Sequence, residues 1–297
     1  MENLYEKYGY TPDKEGIGRA VEIIARNLEN VACEDVYKEC FALQDVTSLH
    51  TNDTPKKIAS LVEKVNRFHE NFGGYPQVAS ICVYPNFAGV VREKRKDPAV
   101  HVTVVSSCFP SAQSFLPVKV QECRMAVEAG ADEVDIVLAL NSFLEGDFKS
   151  AGEEIAAMRK AVDEAGEKVG RKIVLKVILE TGLLVTHENI ANASFLAMEN
   201  GADFIKTSTG KVDVNATPIA AYVMCECIKR FHEVTGRKVG FKAAGGISSA
   251  LDAVSYYSIV STVLGKEWLG KDYFRLGVSR LANSLVSAVE QKTVAYF

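Results

Sequence analysis

Residues 187–210 read HENIANASFLAMENGADFIKTSTG, and three kinds of order follow one another within them. From His187 to Asn200 apolar side chains recur at helical spacing, and Gly201 then stands where a chain turns left-handed to end a helix. Asp203–Thr207 is a short apolar run of the kind that forms a buried strand, and small, hydroxylated and glycine residues close the stretch. Helix, glycine stop, strand and glycine-rich turn make one step of an alternating α/β chain.

The same step recurs in both directions. Runs rich in Val and Ile lie at Ala42–Val46, Val78–Val83, Val100–Ser106, Glu133–Leu138, Lys172–Leu179, Val239–Ala243 and, more weakly, Tyr273–Leu276, so that with Asp203–Thr207 eight strands are expected. Helical spacing fills the gaps at Thr54–Glu70, Pro117–Ala129, Phe148–Gly166 and Thr217–Thr235. Thr186 and Thr217 suit N-caps, Pro218 suits the first helical position, and Gly130, like Gly201, opens the phrase Gly-Ala-Asp just before a strand.

Alternation without a Pro- or Ser-rich linker implies one parallel sheet, either open and doubly wound or closed. No Gly-x-Gly-x-x-Gly turn follows the first strand, as a dinucleotide-binding open sheet requires, and eight strands over nearly the whole length match a (β/α)8 TIM barrel. The barrel is expected over residues 41–297 with a short C-terminal tail. Residues 1–40 are left as an N-terminal helical extension, with a helix over Ile17–Glu29 packing across the bottom or side of the barrel.

Composition narrows the partners. Hydrophobic residues make up 47% and charged ones 24% of 297, which allows a sizeable core. The net charge is −4 with lysines and arginines scattered, so no basic patch marks nucleic acid as a partner. No apolar run reaches the roughly 18 residues of a membrane span, and the start, MENLYEKYGYTPDKEG, lacks a secretory pattern. A cytoplasmic location, reduced thiols at all seven cysteines and a small-molecule partner are the expectations; a homo-oligomer such as a dimer stays open.

Barrel strands are buried on both faces, so a charge within one is paired, reaches solvent at the rim, or does chemistry. Asp135, Lys176, Lys206 and Lys242 all interrupt apolar runs, and Asp45 joins them near the end of the first. Alternation along a strand sends Ile205 and Thr207 outward if Lys206 points into the barrel. Any one lysine alone reads better as half of an ion pair or as a rim residue with its ammonium in water. Two on consecutive strands change that, because desolvation and mutual repulsion both favour the neutral amine, a nucleophile toward carbonyls. Asp135 is the nearest inward carboxylate to shuttle protons.

The loops Thr207–Lys211, Ala244–Gly246 and Leu276–Ser279 are small or hydroxylated, which lets backbone N–H groups approach an anion, and Ser248 and Ser279 suit helix starts. No metal site is expected. His50, His69, His101, His187 and His232 lack a His-x-x-x-His spacing, and Cys225 and Cys227 diverge on a helix. Cys82 is either a pocket residue or a small buried hydrophobe.

The stretches Leu43-Gln-Asp-Val-Thr-Ser-Leu, Ile81-Cys-Val-Tyr-Pro, Ala131-Asp-Glu-Val-Asp-Ile-Val, Leu175-Lys-Val-Ile-Leu-Glu-Thr-Gly, Ala202-Asp-Phe-Ile-Lys-Thr-Ser-Thr-Gly-Lys and Gly240-Phe-Lys-Ala-Ala-Gly-Gly-Ile together resemble the deoxyribose-phosphate aldolase family, in that family's order, over about residues 41–280. The resemblance implies a class I aldolase without metal or organic cofactor that reversibly cleaves 2-deoxy-D-ribose 5-phosphate to acetaldehyde and D-glyceraldehyde 3-phosphate. It makes Lys206 the Schiff-base lysine, Lys242 its tuning neighbour and Asp135 part of the proton relay, which Lys176 supports. Asp45, Thr47 and Cys82 then line the substrate end, and Thr209, Gly210, Lys211, Gly245, Gly246, Gly277 and Ser279 surround the phosphate. In some members a tail tyrosine is thought to deliver a proton; here Tyr296 is penultimate. Two departures stand out: Ala243 follows Lys242 where proline is common, and Arg280 follows Ser279 where a second serine is common. Two other readings fit the residues, a lysine aldolase of ketose phosphates and a barrel that binds a phosphosugar without turnover.

Overall fold

The computed structural model describes residues 3–297. Eight strands, β1 (Gln44–Thr47), β2 (Ser80–Val83), β3 (His101–Val105), β4 (Glu133–Val137), β5 (Val174–Ile178), β6 (Phe204–Lys206), β7 (Gly240–Ala244) and β8 (Phe274–Val278), close in sequence order into a barrel. Every neighbouring pair is parallel, and β1 pairs with β8 through Asp45 and Gly277. Helices return the chain between strands and cover the outside, as a parallel sheet buried on both faces requires. The (β/α)8 architecture read from the sequence is the observed one.

Local signals explain several boundaries. Thr186 Oγ1 accepts from Asn189 N and Thr217 Oγ1 from Ala220 N, capping helices His187–Glu199 and Pro218–Thr235, while Gly130 and Gly201 adopt φ of 117° and 98° just beyond helix ends. Three expectations need correction. The helix expected over Thr54–Glu70 breaks at Arg67 into Pro55–Asn66 and Phe68–Asn71, and the break lays Phe68 against Phe41 and Tyr75, with ring centroids 4.6 and 5.5 Å from them. The serine that opens helix Ala250–Val263 is Ser249, not Ser248, because only Ser249 forms a reciprocal capping box with Asp252. Helix Leu281–Glu290 starts from Arg280, not Ser279.

Before β1 the chain forms helices Leu4–Lys7, Lys14–Arg26, Leu28–Val31 and Glu34–Ala42. The second starts earlier than the expected Ile17 because Asp13 caps it, accepting from Gly16 N. It buries Ile17 and Ile24 and lies on the side of the barrel along helices Pro218–Thr235 and Ala250–Val263. The C-terminal tail is pinned by Asn283, whose Oδ1 accepts from Tyr296 N at 2.9 Å and Phe297 N at 3.0 Å. Tyr296 packs on Phe68 and Phe72 and donates its hydroxyl to the Lys64 carbonyl at 2.8 Å, near the end of the helix that runs back from the top of β1. The tail tyrosine therefore sits on the N-terminal face, opposite the strand ends that carry the glycine-rich loops. Among the described residues no helix is long and apolar enough to cross a membrane.

The two faces of each strand divide sharply. Outward side chains such as Val134, Ile136, Leu175, Val177, Ile205, Phe241 and Phe274 belong to one apolar cluster with the surrounding helices. Inward positions carry Asp45, Glu133, Asp135, Lys176, Lys206, Lys242 and Arg275, all 3% exposed or less. Barrels usually fill this space with branched aliphatic layers; here charge replaces them.

Candidate active site

The loops after β1, β6, β7 and β8 wall a cavity of about 250 Å³ at the C-terminal rim. Thr47, Lys206, Thr209, Gly210, Lys211, Gly245, Gly246, Gly277 and Ser279 line it, so nine positions picked out in the sequence meet in one place. Leu49, His50, Ala244 and Val278 join them; His50 had been weighed only as a metal ligand. Arg280 is exposed and does not line the cavity.

The wall suits an anion. Gly245 and Gly246 take consecutive φ values of 81° and 79°, a conformation that favours residues without Cβ and bends the chain into an N–H-lined concavity. Among the described residues, the N–H groups of Gly210, Gly245, Gly246 and Ser279 find no protein acceptor. Gly277 has a different cause: a Cβ there would come within 2.9 Å of Lys242 Cε, so the glycine makes room for the lysine crossing β8. Lys211 Nζ donates to the Leu49 carbonyl at 2.7 Å and ties the loop after β6 to the loop after β1.

Asp135, Lys176, Lys242, Asp45 and Cys82 are beneath this wall rather than in it. Lys206 is the cationic side chain that reaches the cavity from below, and its Nζ donates to Asp135 Oδ2 at 2.9 Å. The same oxygen accepts from Lys242 Nζ at 2.7 Å, and Lys242 also donates to Asp45 Oδ2. Lys176 Nζ reaches Asp135 Oδ1 at 2.8 Å and Glu133 Oε2 at 2.5 Å. Arg275 forks between Glu133 Oε1 and Asp45 Oδ1, each at 2.6 Å. Cys82 packs with Leu49 and Val105, and burial raises its thiol pKa.

Three carboxylates, Asp45, Glu133 and Asp135, thus share one buried space with four cationic side chains. Burial pushes each carboxylate toward its neutral form, but the touching cations outweigh it and lower all three pKa values. The lysines part company. Burial lowers Lys206, the charge of Lys242 lowers it further, and Asp135 only partly opposes them. Lys242 feels the same burial, yet Asp135 and Asp45 both grip its ammonium and raise its pKa. The expectation that the pair would share a tendency to neutrality fails for Lys242, because two carboxylates touch it and one touches Lys206. An interior in which Lys206 carried no charge would balance, three cations against three carboxylates.

Three residues around the site were passed over in the sequence. Glu133 and Arg275 lie two residues from Asp135 and Gly277, on the same faces of β4 and β8, so the period of two could have found them. Glu180 follows β5 at φ 58° and accepts from Thr209 N at 3.1 Å and Thr209 Oγ1 at 2.5 Å; burial raises its pKa.

A parallel eight-stranded barrel with a lysine in the floor of a cavity built by its C-terminal loops has the architecture of a barrel enzyme. Residues 41–257 match the DeoC/LacD family aldolase model. The chain is 38% identical over 249 residues to the deoxyribose-phosphate aldolase of Agrobacterium fabrum, covering 84% of this chain and 89% of that one. A Caenorhabditis elegans relative is 38% identical over 282 residues, 93% of this chain and 89% of its own. Among solved structures, an aldolase called QR15 aligns with TM-score 0.66 at 26% identity over 83% of this chain and 96% of that one. The tetrameric deoxyribose phosphate aldolase of Aeropyrum pernix shares the fold with TM-score 0.67 at 24% identity, over 89% of this chain and 96% of its own. The chain belongs to the DeoC/LacD aldolase family and is an aldolase, a lyase.

Proposed function

We propose that the enzyme is a class I aldolase that reversibly cleaves 2-deoxy-D-ribose 5-phosphate to D-glyceraldehyde 3-phosphate and acetaldehyde through a Schiff base on Lys206. The observation that carries this reading is the contrast between Lys206, with its lowered pKa at the cavity floor, and Lys242, held charged on the same carboxylate oxygen. The name of the Agrobacterium fabrum relative supports the choice of substrate.

In this reading the Lys206 amine attacks the aldehyde carbon, water departs, and an iminium forms as an electron sink. A base takes the proton from the C3 hydroxyl, the C2–C3 bond breaks, and its electrons pass into the iminium to leave an enamine. Glyceraldehyde 3-phosphate departs; protonation of the enamine carbon and hydrolysis release acetaldehyde and restore the amine. Asp135 contacts the Lys206 nitrogen and relays protons there, Lys242 holds Asp135 ionised and Lys206 neutral, and Lys176 with Asp45 anchors that pair. Thr47 and the free N–H groups around Gly210, Gly245, Gly246 and Ser279 face the sugar and its phosphate, with Thr209, Lys211 and Gly277 shaping the wall. Cys82 supports Leu49 from below.

Incubation with acetaldehyde and borohydride, followed by peptide mass mapping, is expected to place one ethyl group on Lys206. An ethyl group on another lysine, or none, overturns the assignment. Faster turnover with dihydroxyacetone phosphate than with acetaldehyde as donor would move the substrate to the ketose phosphates.

A further inference from the structure

The loop after β6 has no backbone bonding to hold its shape. Among the described residues, no backbone–backbone hydrogen bond involves residues 208–216, although Thr209, Gly210 and Lys211 in that stretch line the rim cavity. Such a segment is ordered by side chains or not at all. Among the described residues, two outside the loop bond to it: Leu49, whose carbonyl receives the flexible Lys211 side chain, and Glu180.

Glu180 is 2% exposed. Its Oε1 accepts from the Thr209 N–H at 3.1 Å and its Oε2 accepts the Thr209 hydroxyl at 2.5 Å. Thr209 Oγ1 in turn accepts from the Lys211 N–H at 3.1 Å. Both donors of Thr209 are therefore taken, and none is left for an anion. Gly210, at φ 79°, stands between two amides tied to this one carboxylate–hydroxyl pair, and its own N–H has no protein acceptor among the described residues. The carboxylate is delivered from a rigid frame. Glu180 has φ 58° and ψ 59°, a left-handed conformation that a residue with a Cβ keeps only where its neighbours enforce it. Here Leu179 N donates to the Lys206 carbonyl and Thr181 N to the Thr207 carbonyl, each at 2.9 Å, which fixes the chain on both sides of Glu180 against the end of β6.

We propose that Glu180 is a positioning residue for recognition of a phosphate ester: through Thr209 it holds the loop after β6 so that the Gly210 N–H is presented to the anion. The inference rests on the reading of the rim cavity as the phosphate end of the site. A carboxylate near that end repels an anion directly. Its benefit therefore lies in the contact with Thr209 and not in its charge.

The test measures kcat and KM on 2-deoxy-D-ribose 5-phosphate and on unphosphorylated 2-deoxy-D-ribose, in wild type, Glu180→Asn, Glu180→Gln and Thr209→Val. Asn tolerates the left-handed backbone but falls one methylene short of Thr209. It is expected to raise KM for the phosphate ester about tenfold, the worth of one hydrogen bond to a charged group, while kcat on the ester and kcat/KM on the free sugar stay within about threefold of wild type. Gln keeps both contacts, its amide oxygen accepting from the Thr209 N–H and its NH2 donating to Thr209 Oγ1, and is expected to stay within about threefold on both substrates. Thr209→Val removes the hydroxyl contact from the other side. It is expected to show the same loss confined to the ester, and to add little to Glu180→Asn, because both break one interaction. Equal losses on the two substrates make Glu180 a general support of the fold and overturn the proposal; so does a Glu180→Gln variant as impaired as Glu180→Asn, which would make charge the cause. If Glu180→Asn does not fold, Thr209→Val decides alone: a loss on both substrates, or on neither, overturns the proposal. A wild type that uses the free sugar as well as the ester overturns the phosphate reading of the cavity and this inference with it, whereas a preference for the ester that every variant keeps overturns the role of Glu180 alone.

Discussion

Phe241 and Lys242 are consecutive residues on β7, fully buried, and face opposite regions of the molecule. Phe241 stacks on Phe274 at 6.1 Å within the apolar layer between strands and helices. Lys242 points inward to Asp45 and Asp135. The outer region is adhesive and chemically inert; the inner one is held by charges that cost energy to bury and gain stability only while every partner is present. The contrast teaches that this barrel is held from outside its sheet, which frees the inside for ionisable groups. A parallel sheet permits the division because each strand shows alternate residues to the two regions.

The largest effect that could break this contrast is expected at Lys206. Lys206→Met removes the proposed nucleophile and should lower turnover by about 10⁴-fold or more. Asp135 keeps Lys176 and Lys242, so the urea midpoint should stay put or rise. A variant that lost stability in step with activity would make Lys206 a structural member of the inner region. Phe241→Ala is the opposite case. It should cost about 3–5 kcal/mol in urea unfolding, the range for truncating a buried aromatic, while kcat/KM of the folded enzyme stays within about threefold. Loss of activity well beyond that would show the two regions to be coupled.

The outer region was the more legible in sequence. Val- and Ile-rich runs marked all eight strands within a few residues, since burial on both faces leaves few polar choices and a glycine or capping threonine punctuates several of the helices. The break at Arg67 and the capping by Asp13 were missed because tertiary packing of Phe68 and a single side-chain bond decided them. In the inner region, Lys206, Lys242 and Asp135 stood out as charges inside apolar runs. Glu133 escaped because it sits at the strand's start, where a charge usually reaches water, and Arg275 because its strand has the weakest apolar pattern. No one-dimensional pattern could reveal that Lys242 has two carboxylate neighbours and Lys206 one. That count depends on Asp45 returning from β1, next to β8 across the closure of the barrel.

Lys242→Met should have a smaller effect on activity than Lys206→Met, and one that depends on pH. In the native interior Lys176, Lys242 and Arg275 balance Asp45, Glu133 and Asp135, which leaves Lys206 free to be neutral. Without Lys242 only two of those cations remain, and Lys206 becomes the third by keeping its proton. Its pKa is expected to rise, because a repelling charge is gone and Asp135 Oδ2 is left to Lys206 alone. In the proposed Schiff-base reaction the amine is the reactive form, so the acid limb of kcat/KM is expected to move to higher pH; the loss, about 100-fold near neutrality for a shift of two units, should largely recover in alkaline buffer. Lys242→Arg, which keeps the charge in a bulkier shape, should leave the limb near its native position even if kcat falls from altered geometry. An acid limb that stays put in Lys242→Met would mean that Lys242 acts by contact rather than by charge, and the inner region would then differ from the outer in composition but not in the way it works.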